Sequence, residues 1–188
     1  MQKFLDWLER VLTPLAKVIG ENKYLVAIRD GFLLSTPLLI VGSVFLLIAN
    51  FPLPQWDTWM SHLLGKDWAT MMSVPASASF DVMTILAVVG IAYSLGKQFN
   101  VDAMQAGIIA LVSFFIVTPY QTLFTPENSS KVYEVTSLPL KWMGSSGLFL
   151  GMIVALIATR LFVAIVRKGW TIKMPEGVPP TVVKSFEA

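Results

Sequence analysis

Twenty-one consecutive residues, Gly31 to Phe51, read GFLLSTPLLIVGSVFLLIANF and carry no charge. As a helix rising ~1.5 Å per residue the run is about 32 Å long, against a bilayer hydrocarbon core of ~30 Å. Lipid offers no water to the backbone, so a single segment this apolar must satisfy its hydrogen bonds internally, and a helix does so. Pro37 and Gly42 lie inside the run and read as a kink and a close helix contact rather than a functional break.

The rest of the chain agrees with a membrane protein. Of its 188 residues only 14% are charged, where soluble domains carry about 25%. Mean hydropathy is +0.67. The net charge of +2, with no basic tract, speaks against nucleic-acid binding. There is no cysteine, which excludes disulfides, thiolate metal sites and a cysteine nucleophile or phosphocarrier on these residues. The sole histidine, His62, cannot build a metal cluster by itself, and no cofactor is implied. No secretory signal is evident, because the first apolar run is too long and lacks a cleavage site before its polar end.

Residues 4–19, FLDWLERVLTPLAKVI, put Asp6, Glu9, Arg10, Thr13 and Lys17 largely on one face. This predicts an amphipathic leader helix, ended by Gly20, lying in the membrane interface or against partner protein. Glu21 to Asp30 then lead into the first span, 31–51. Phe51-Pro-Leu-Pro54 breaks it, and Trp56, Trp59, Met60, Leu63 and Leu64 repeat at helical spacing, which predicts a short interfacial helix. Trp56, Trp59 and Trp68 would suit stacking on a sugar, but an aromatic belt at the headgroups is the preferred reading. His62 reads as a solvated loop residue.

The second span is expected over 80–96, with the small, weakly polar Ser73 to Ser79 as its less lipid-exposed start. Asp81 near its outer end is a candidate pathway group, with solvation at the interface the preferred alternative. Lys97 to Asp102 reads as a tight turn, with Asn100 as N-cap and Asp102 at the positive end of the next helix. The third span is expected over 103–119. A polar connection follows, with a turn and one alternating strand at Lys131 to Thr136. Asn128 to Ser130 matches a glycosylation sequon, a pattern too short to carry weight.

The fourth span is expected over 144–166. Gly147, Gly151, Ala155 and Thr159 stand four apart, a small-residue stripe suited to close helix packing, with a partner in this chain or in another subunit. Arg160, six residues before Val166, is read as anchoring the inner headgroups. Residues 167–188 form a loop and the opening turns of a further helix capped by Thr181. A helix opening without its body leads to the expectation of a fragment or a truncated product.

Lysines and arginines set the orientation. Lys3, Arg10, Lys17, Lys23 and Arg29 precede the first span, Lys97 lies in the tight turn, and Arg167, Lys168, Lys173 and Lys184 follow the fourth. The other two loops hold only Lys66, Lys131 and Lys141. The positive-inside rule puts both termini in the cytoplasm. The expected fold class is an all-α membrane protein of about four spans, with N-terminal and loop interfacial helices and a small β element in the second outer loop. No phosphate loop, nucleophile elbow or zinc signature is present, so no catalytic residue is assigned.

Two stretches are more specific: Ala27-Ile-Arg-Asp-Gly-Phe-Leu-Leu-Ser-Thr-Pro-Leu-Leu-Ile-Val-Gly-Ser43 and Met174-Pro-Glu-Gly-Val-Pro-Pro-Thr-Val-Val-Lys-Ser-Phe186. In these the chain resembles the IIC permeases of the bacterial PEP-dependent sugar phosphotransferase system, in their lactose, cellobiose and diacetylchitobiose group. The resemblance covers essentially all 188 residues but only the N-terminal part of the family's chains. It implies a bacterial plasma-membrane permease that imports a β-linked disaccharide with coupled phosphorylation. The phosphoryl group would come from a cytoplasmic IIB component, itself supplied by IIA. It implies further that residues 1–188 are a fixed, homodimer-forming scaffold against which a second domain moves. That second domain, which in the family carries the re-entrant hairpins and the sugar-binding histidine and glutamate, is expected to be absent here, and His62 does not stand in for its histidine. The alternative is a non-transporting scaffold or remnant without sugar binding.

Overall fold

A computed structural model of the chain describes residues 10, 12–13, 17, 19–126 and 131–170. Most of the leader, the loop at 127–130 with the sequon, and the tail from 171 with its Gly-Val-Pro-Pro motif and Thr181 lie outside the described residues. Seven helices are distinguished over residues 23–167: α1 Lys23–Ala49, α2 Trp56–Leu64, α3 Trp68–Phe80, α4 Met83–Phe99, α5 Ala103–Val117, α6 Leu140–Met143 and α7 Leu148–Arg167. A 3-10 turn at Ser145–Gly147 precedes α7. The hairpin β1 Gln121–Phe124 and β2 Tyr133–Thr136 joins α5 to α6.

Helix α1 begins earlier than its uncharged run. Asn22 caps it, its side-chain oxygen accepting from the Tyr24 and Leu25 amides at 3.0 and 3.3 Å. Gly20 and Glu21 are themselves helical, so the break between leader and span falls at Asn22 rather than Gly20. Arg29 and Asp30 do not stop the helix, because they pair with each other at 2.8 Å. The second apolar region also begins earlier than expected: α3 and α4 follow one another across a two-residue turn at Asp81–Val82, and together cover Trp68–Phe99, 32 residues. Ser73 to Ser79 is helical throughout, Pro75 included.

Three stretches are long and apolar enough to cross a membrane, Lys23–Ala49, Trp68–Phe99 and Ser145–Arg167; Ala103–Val117 is apolar but shorter. At 15 residues it measures about 22 Å.

The packing is the inverse of a soluble bundle. Along α1 the buried positions are Ala27, Gly31, Ser35 and Gly42, while Leu33, Leu34, Leu38, Ile40 and Leu47 are exposed. Small residues face protein and large aliphatic ones face outward, the arrangement that suits lipid. The closest approach is between α1 and α4. A Cβ built on Gly31 would lie 2.5 Å from the Ile91 backbone nitrogen, and one on Gly90 would lie 2.6 Å from the Gly31 carbonyl oxygen. About three turns further along α1, a Cβ on Gly42 would lie 2.5 Å from Ser79 Cβ of α3. Helix α4 is central, touching α1, α5 and α7. Its Ala87, Val88, Ile91 and Ala92 form the core with Ala110 and Phe114 of α5 and Ala155 and Ala158 of α7.

The α4–α5 junction departs from expectation at one residue. Asn100 is not an N-cap; it sits in the left-handed region (φ 56°) at the end of α4. Its amide donates to the Lys97 carbonyl and the Val101 amide to the Gly96 carbonyl, both at 3.1 Å, the paired closure of a Schellman motif. The N-cap of α5 is Asp102, whose carboxylate accepts from the Met104 and Gln105 amides, both at 3.0 Å. Asparagine tolerates left-handed backbone and aspartate favours the positive end of a helix, so each takes the place its chemistry suits.

Beyond α5, β1 and β2 pair antiparallel from Gln121↔Thr136 to Phe124↔Tyr133. The β element therefore has two strands; the sequence reading found β2 and missed β1.

The glycine seam yields a signed prediction. Alanine is a better helix former than glycine by about 1 kcal/mol, yet Gly90→Ala and Gly31→Ala place a methyl against backbone atoms that cannot rotate away. Each is expected to lower stability by about 1–3 kcal/mol. Gly20→Ala, with nothing within 4 Å of the new methyl, should not. Thermal unfolding of the three variants in one detergent checks the order.

Candidate functional site

The residues singled out from sequence fall into three separate places. The first is the end of the bundle formed by α2, the start of α3 and the α3–α4 turn. Trp56 is half-buried, donates from Nε1 to the Ile48 carbonyl at 2.7 Å and lies 5.0 Å from the Phe51 ring. It thereby folds α2 back onto the end of α1. Trp68 is 2% exposed and donates to the Asp57 carboxylate at 3.0 Å, which ties α2 to α3. Its ring is therefore unavailable to a sugar. Trp59 is 59% exposed and remains free to meet a headgroup or a ligand. His62 is exposed. Asp81 is half-buried at the end of α3, and its carboxylate makes no hydrogen bond or ion pair with the described residues.

The second place is the stripe on the fourth apolar segment. Gly147, Gly151, Ala155 and Thr159 are all buried within the chain. A Cβ on Gly151 would lie 2.7 Å from Thr84 Cγ2 and 2.8 Å from Val88 Cγ2, so this position packs on α4. A Cβ on Gly147 would run into the Trp142 carbonyl, so glycine is needed there by the local turn and not by a neighbouring helix. Thr159 is fully buried and its Oγ1 has no hydrogen-bond partner among the described residues. Thr84 contrasts with it: equally buried, it donates from Oγ1 to the Gly144 carbonyl at 2.6 Å. That bond fastens the loop before α7 to α4 across 60 residues of sequence.

The third place was not anticipated as a site. At the other end of the bundle, the Phe99 ring is surrounded by Lys23, Arg160 and Arg167, with cation-to-centroid distances of 5.0, 5.0 and 5.4 Å. Lys23 Nζ also donates to the Gln98 carbonyl at 3.2 Å and Arg167 Nη2 to the Phe99 carbonyl at 3.3 Å. Sequence offered one signal, the seven-residue spacing of Arg160 and Arg167 on one helix face; the gathering around Phe99 is a tertiary fact. Among the described residues no group of three histidine or acidic side chains is gathered as a metal site would require.

A helical chain with apolar outer faces, small-residue seams and polar side chains concentrated at its two ends is a membrane protein by construction. Comparison with known proteins gives the family. The family description "Phosphotransferase system, EIIC" matches residues 29–188, and the chain belongs to that family. It is 42% identical to the cellobiose-specific EIIC component of Geobacillus stearothermophilus, over all of this chain and 42% of that one. It is 41% identical to the lichenan permease IIC component of Bacillus subtilis (strain 168), again over all of this chain and 42% of the other. In three dimensions it resembles the transporter ChbC, the IIC component of an N,N'-diacetylchitobiose-specific phosphotransferase system. The TM-score is 0.89 at 42% identity, covering 96% of this chain and 42% of that one. The chain thus spans less than half the length of the relatives it matches.

The two buried threonines make opposite predictions. Thr84→Val leaves the buried Gly144 carbonyl without its donor and is expected to cost about 1–3 kcal/mol. Thr159→Val removes an unpaired hydroxyl and is expected to be neutral or mildly stabilising. Paired melting curves, with Thr84→Ser retaining most of the wild-type stability, check both.

Proposed function

We propose that this chain is the scaffold half of a phosphotransferase-system membrane permease for a β-linked disaccharide of the cellobiose or chitobiose type. The observation that carries the reading is the likeness to ChbC over 96% of these residues but only 42% of that transporter. The relatives named for cellobiose and lichenan support the same sugar class. In this reading residues 1–188 contribute none of the groups that touch the sugar, which is held by the remainder of the permease. Trp56, Trp59 and Asp81 would then serve the outer interface rather than the sugar. A cytoplasmic IIB component, recharged by IIA, supplies the phosphoryl group.

Four spans and a cytoplasmic N-terminus complete the proposal. A short α5 reaches across by virtue of its flanking Val101 and Thr118 to Tyr120, and the basic residues gather on the side of Lys23, Lys97, Arg167 and Lys168, as the positive-inside rule requires. Gly151 packs on Thr84 and Val88 of α4, and Ala155 and Thr159 are buried within the chain, which supports a homodimer contact on another face. The absence of native cysteine makes topology directly testable. Single cysteines at Lys66 and Thr136 are expected to react with a membrane-impermeant maleimide in intact cells, and cysteines at Lys97 and Lys168 only after lysis. The reverse pattern overturns the orientation.

For function, proteoliposomes carrying these 188 residues with IIA, IIB and a phosphoryl donor are expected to accumulate no phosphorylated cellobiose or chitobiose. Cross-linking in the same membranes is expected to trap dimers. Accumulation by this chain alone would show that the sugar site lies within it.

A further inference from the structure

We propose that the cluster of Lys23, Arg160 and Arg167 around Phe99 is a binding site for an anionic phospholipid, headgroup on the cations and one acyl chain in the apolar groove beside them. The proposal concerns the membrane boundary of the chain and does not depend on the sugar-transport reading.

Three observations converge. The first is charge without an acid to balance it. The described carboxylates near this end of the bundle are already engaged: Glu21 with Lys17 at 4.0 Å, Asp30 with Arg29 at 2.8 Å, and Asp102 with the first amides of α5. No described carboxylate pairs with Lys23, Arg160 or Arg167. The cluster is held instead by weak partners, the face of one aromatic ring and the last carbonyls of α4. A helix C-terminus supplies roughly half a negative charge and a ring only its quadrupole. Among the described residues three full positive charges therefore remain largely uncompensated; Lys97, over Tyr93 at 4.5 Å, and Lys168, over Trp170 at 4.9 Å, stand at the ends of α4 and α7. A phosphate is the complementary group, and guanidinium groups meet it with paired donors.

The second observation is what lies next to the charge. Arg160 also lines a groove of about 300 Å³ with Tyr24, Leu156, Ile157 and Leu161. Apart from the arginine and the tyrosine hydroxyl its walls are apolar, the Tyr24 ring and three aliphatic side chains. A soluble phosphate compound would leave that groove empty, whereas a phospholipid fills it and places its phosphate at the rim. The third is position. Arg160 lies seven residues inside the end of α7, so its guanidinium reaches toward the interface from within the apolar span. A lipid headgroup is the anion present in quantity at that depth. Basic side chains at a bilayer surface each contribute to anionic-lipid binding, and a cluster of them selects for it.

The test uses the full chain in detergent micelles with equal amounts of dioleoyl-phosphatidylglycerol and dioleoyl-phosphatidylcholine, read by native mass spectrometry. Wild type is expected to retain phosphatidylglycerol preferentially. Arg160→Gln/Arg167→Gln should lower that preference by roughly twenty-five-fold, about fivefold for each basic side chain removed. Arg160→Lys/Arg167→Lys, which keeps the charge, should retain most of it, and Lys66→Gln at the opposite end should retain all of it. Equal retention of the two lipids by wild type overturns the proposal, and that arm stands even where the glutamine pair fails to fold. So does an undiminished preference in a folded glutamine pair. Displacement of the lipid by millimolar glycerol 3-phosphate would assign the cluster to a soluble phosphate compound and equally overturn the lipid.

Discussion

The contact between Gly31 and Gly90 is the constraint on which the arrangement of this chain depends. It lets the backbone of α1 lie directly on that of α4, so close that a methyl on either glycine would meet main-chain atoms of the other helix. In water, two helices are driven together by hiding large apolar side chains. In lipid that drive is missing, because leucine is as comfortable against acyl chains as against protein. What remains is close packing, and small residues permit the most of it. The consequence runs outward from this seam. Because α1 turns its small face to α4, Leu33, Leu34, Leu38, Ile40 and Leu47 are turned outward. Because α4 is met by α1 on one side, its other sides are left to α7, where Gly151 meets Val88, and to α5, where Gly107 meets Val89.

This also explains what sequence could and could not disclose. The uncharged run of α1, the apolar character of α4, α5 and α7, and the class of the fold were legible, because hydropathy reports exposure to lipid directly. The true start of α1 was not, because Arg29 and Asp30 interrupt the apolar window. Their mutual ion pair, which makes the interruption harmless, is a matter of side-chain geometry. Ser73 to Ser79 was recognised as small but underestimated as helix for a related reason. Its value lies in fitting against Gly42, and a hydropathy scale gives no credit for fit. The stripe from Gly147 to Thr159 was visible as a pattern, but its partner was not; the pattern states that something comes close without stating what. At Asn100 the residue type suited both a helix start and a left-handed helix end, and only the hydrogen bonds of Gly96 and Lys97 decide between them.

The stretch that carried the family resemblance, Ala27 to Ser43, has a physical content of its own. Ala27, Gly31, Ser35 and Gly42 are the buried positions of α1. The motif is therefore the α1 half of the glycine seam, a packing requirement rather than a chemical one. The candidate residues from sequence that carry chemistry, Trp56, Trp59 and Asp81, lie instead at one end of the bundle. There two indole N–H groups are consumed in fixing α2, Trp56 to Ile48 and Trp68 to Asp57.

The division between a polar boundary and an inert interior bears on mechanism. Inside the bundle the described polar side chains are small: Ser35 and Thr118 donate to carbonyls of their own helices and Thr84 to Gly144, while the Thr159 hydroxyl stands alone. None offers the several converging donors and acceptors that a sugar, with a hydroxyl on nearly every carbon, demands of a selective site. Under the proposed reading, recognition must come from segments outside this one. A half whose helices meet backbone to backbone has little freedom to slide, since one step of register along α4 would set Gly31 against a side chain larger than glycine. That rigidity suits a body that holds still while another part moves. Its working surfaces would then be its boundaries: the outward aliphatic face of α1, the exposed hairpin, and the basic cluster around Phe99.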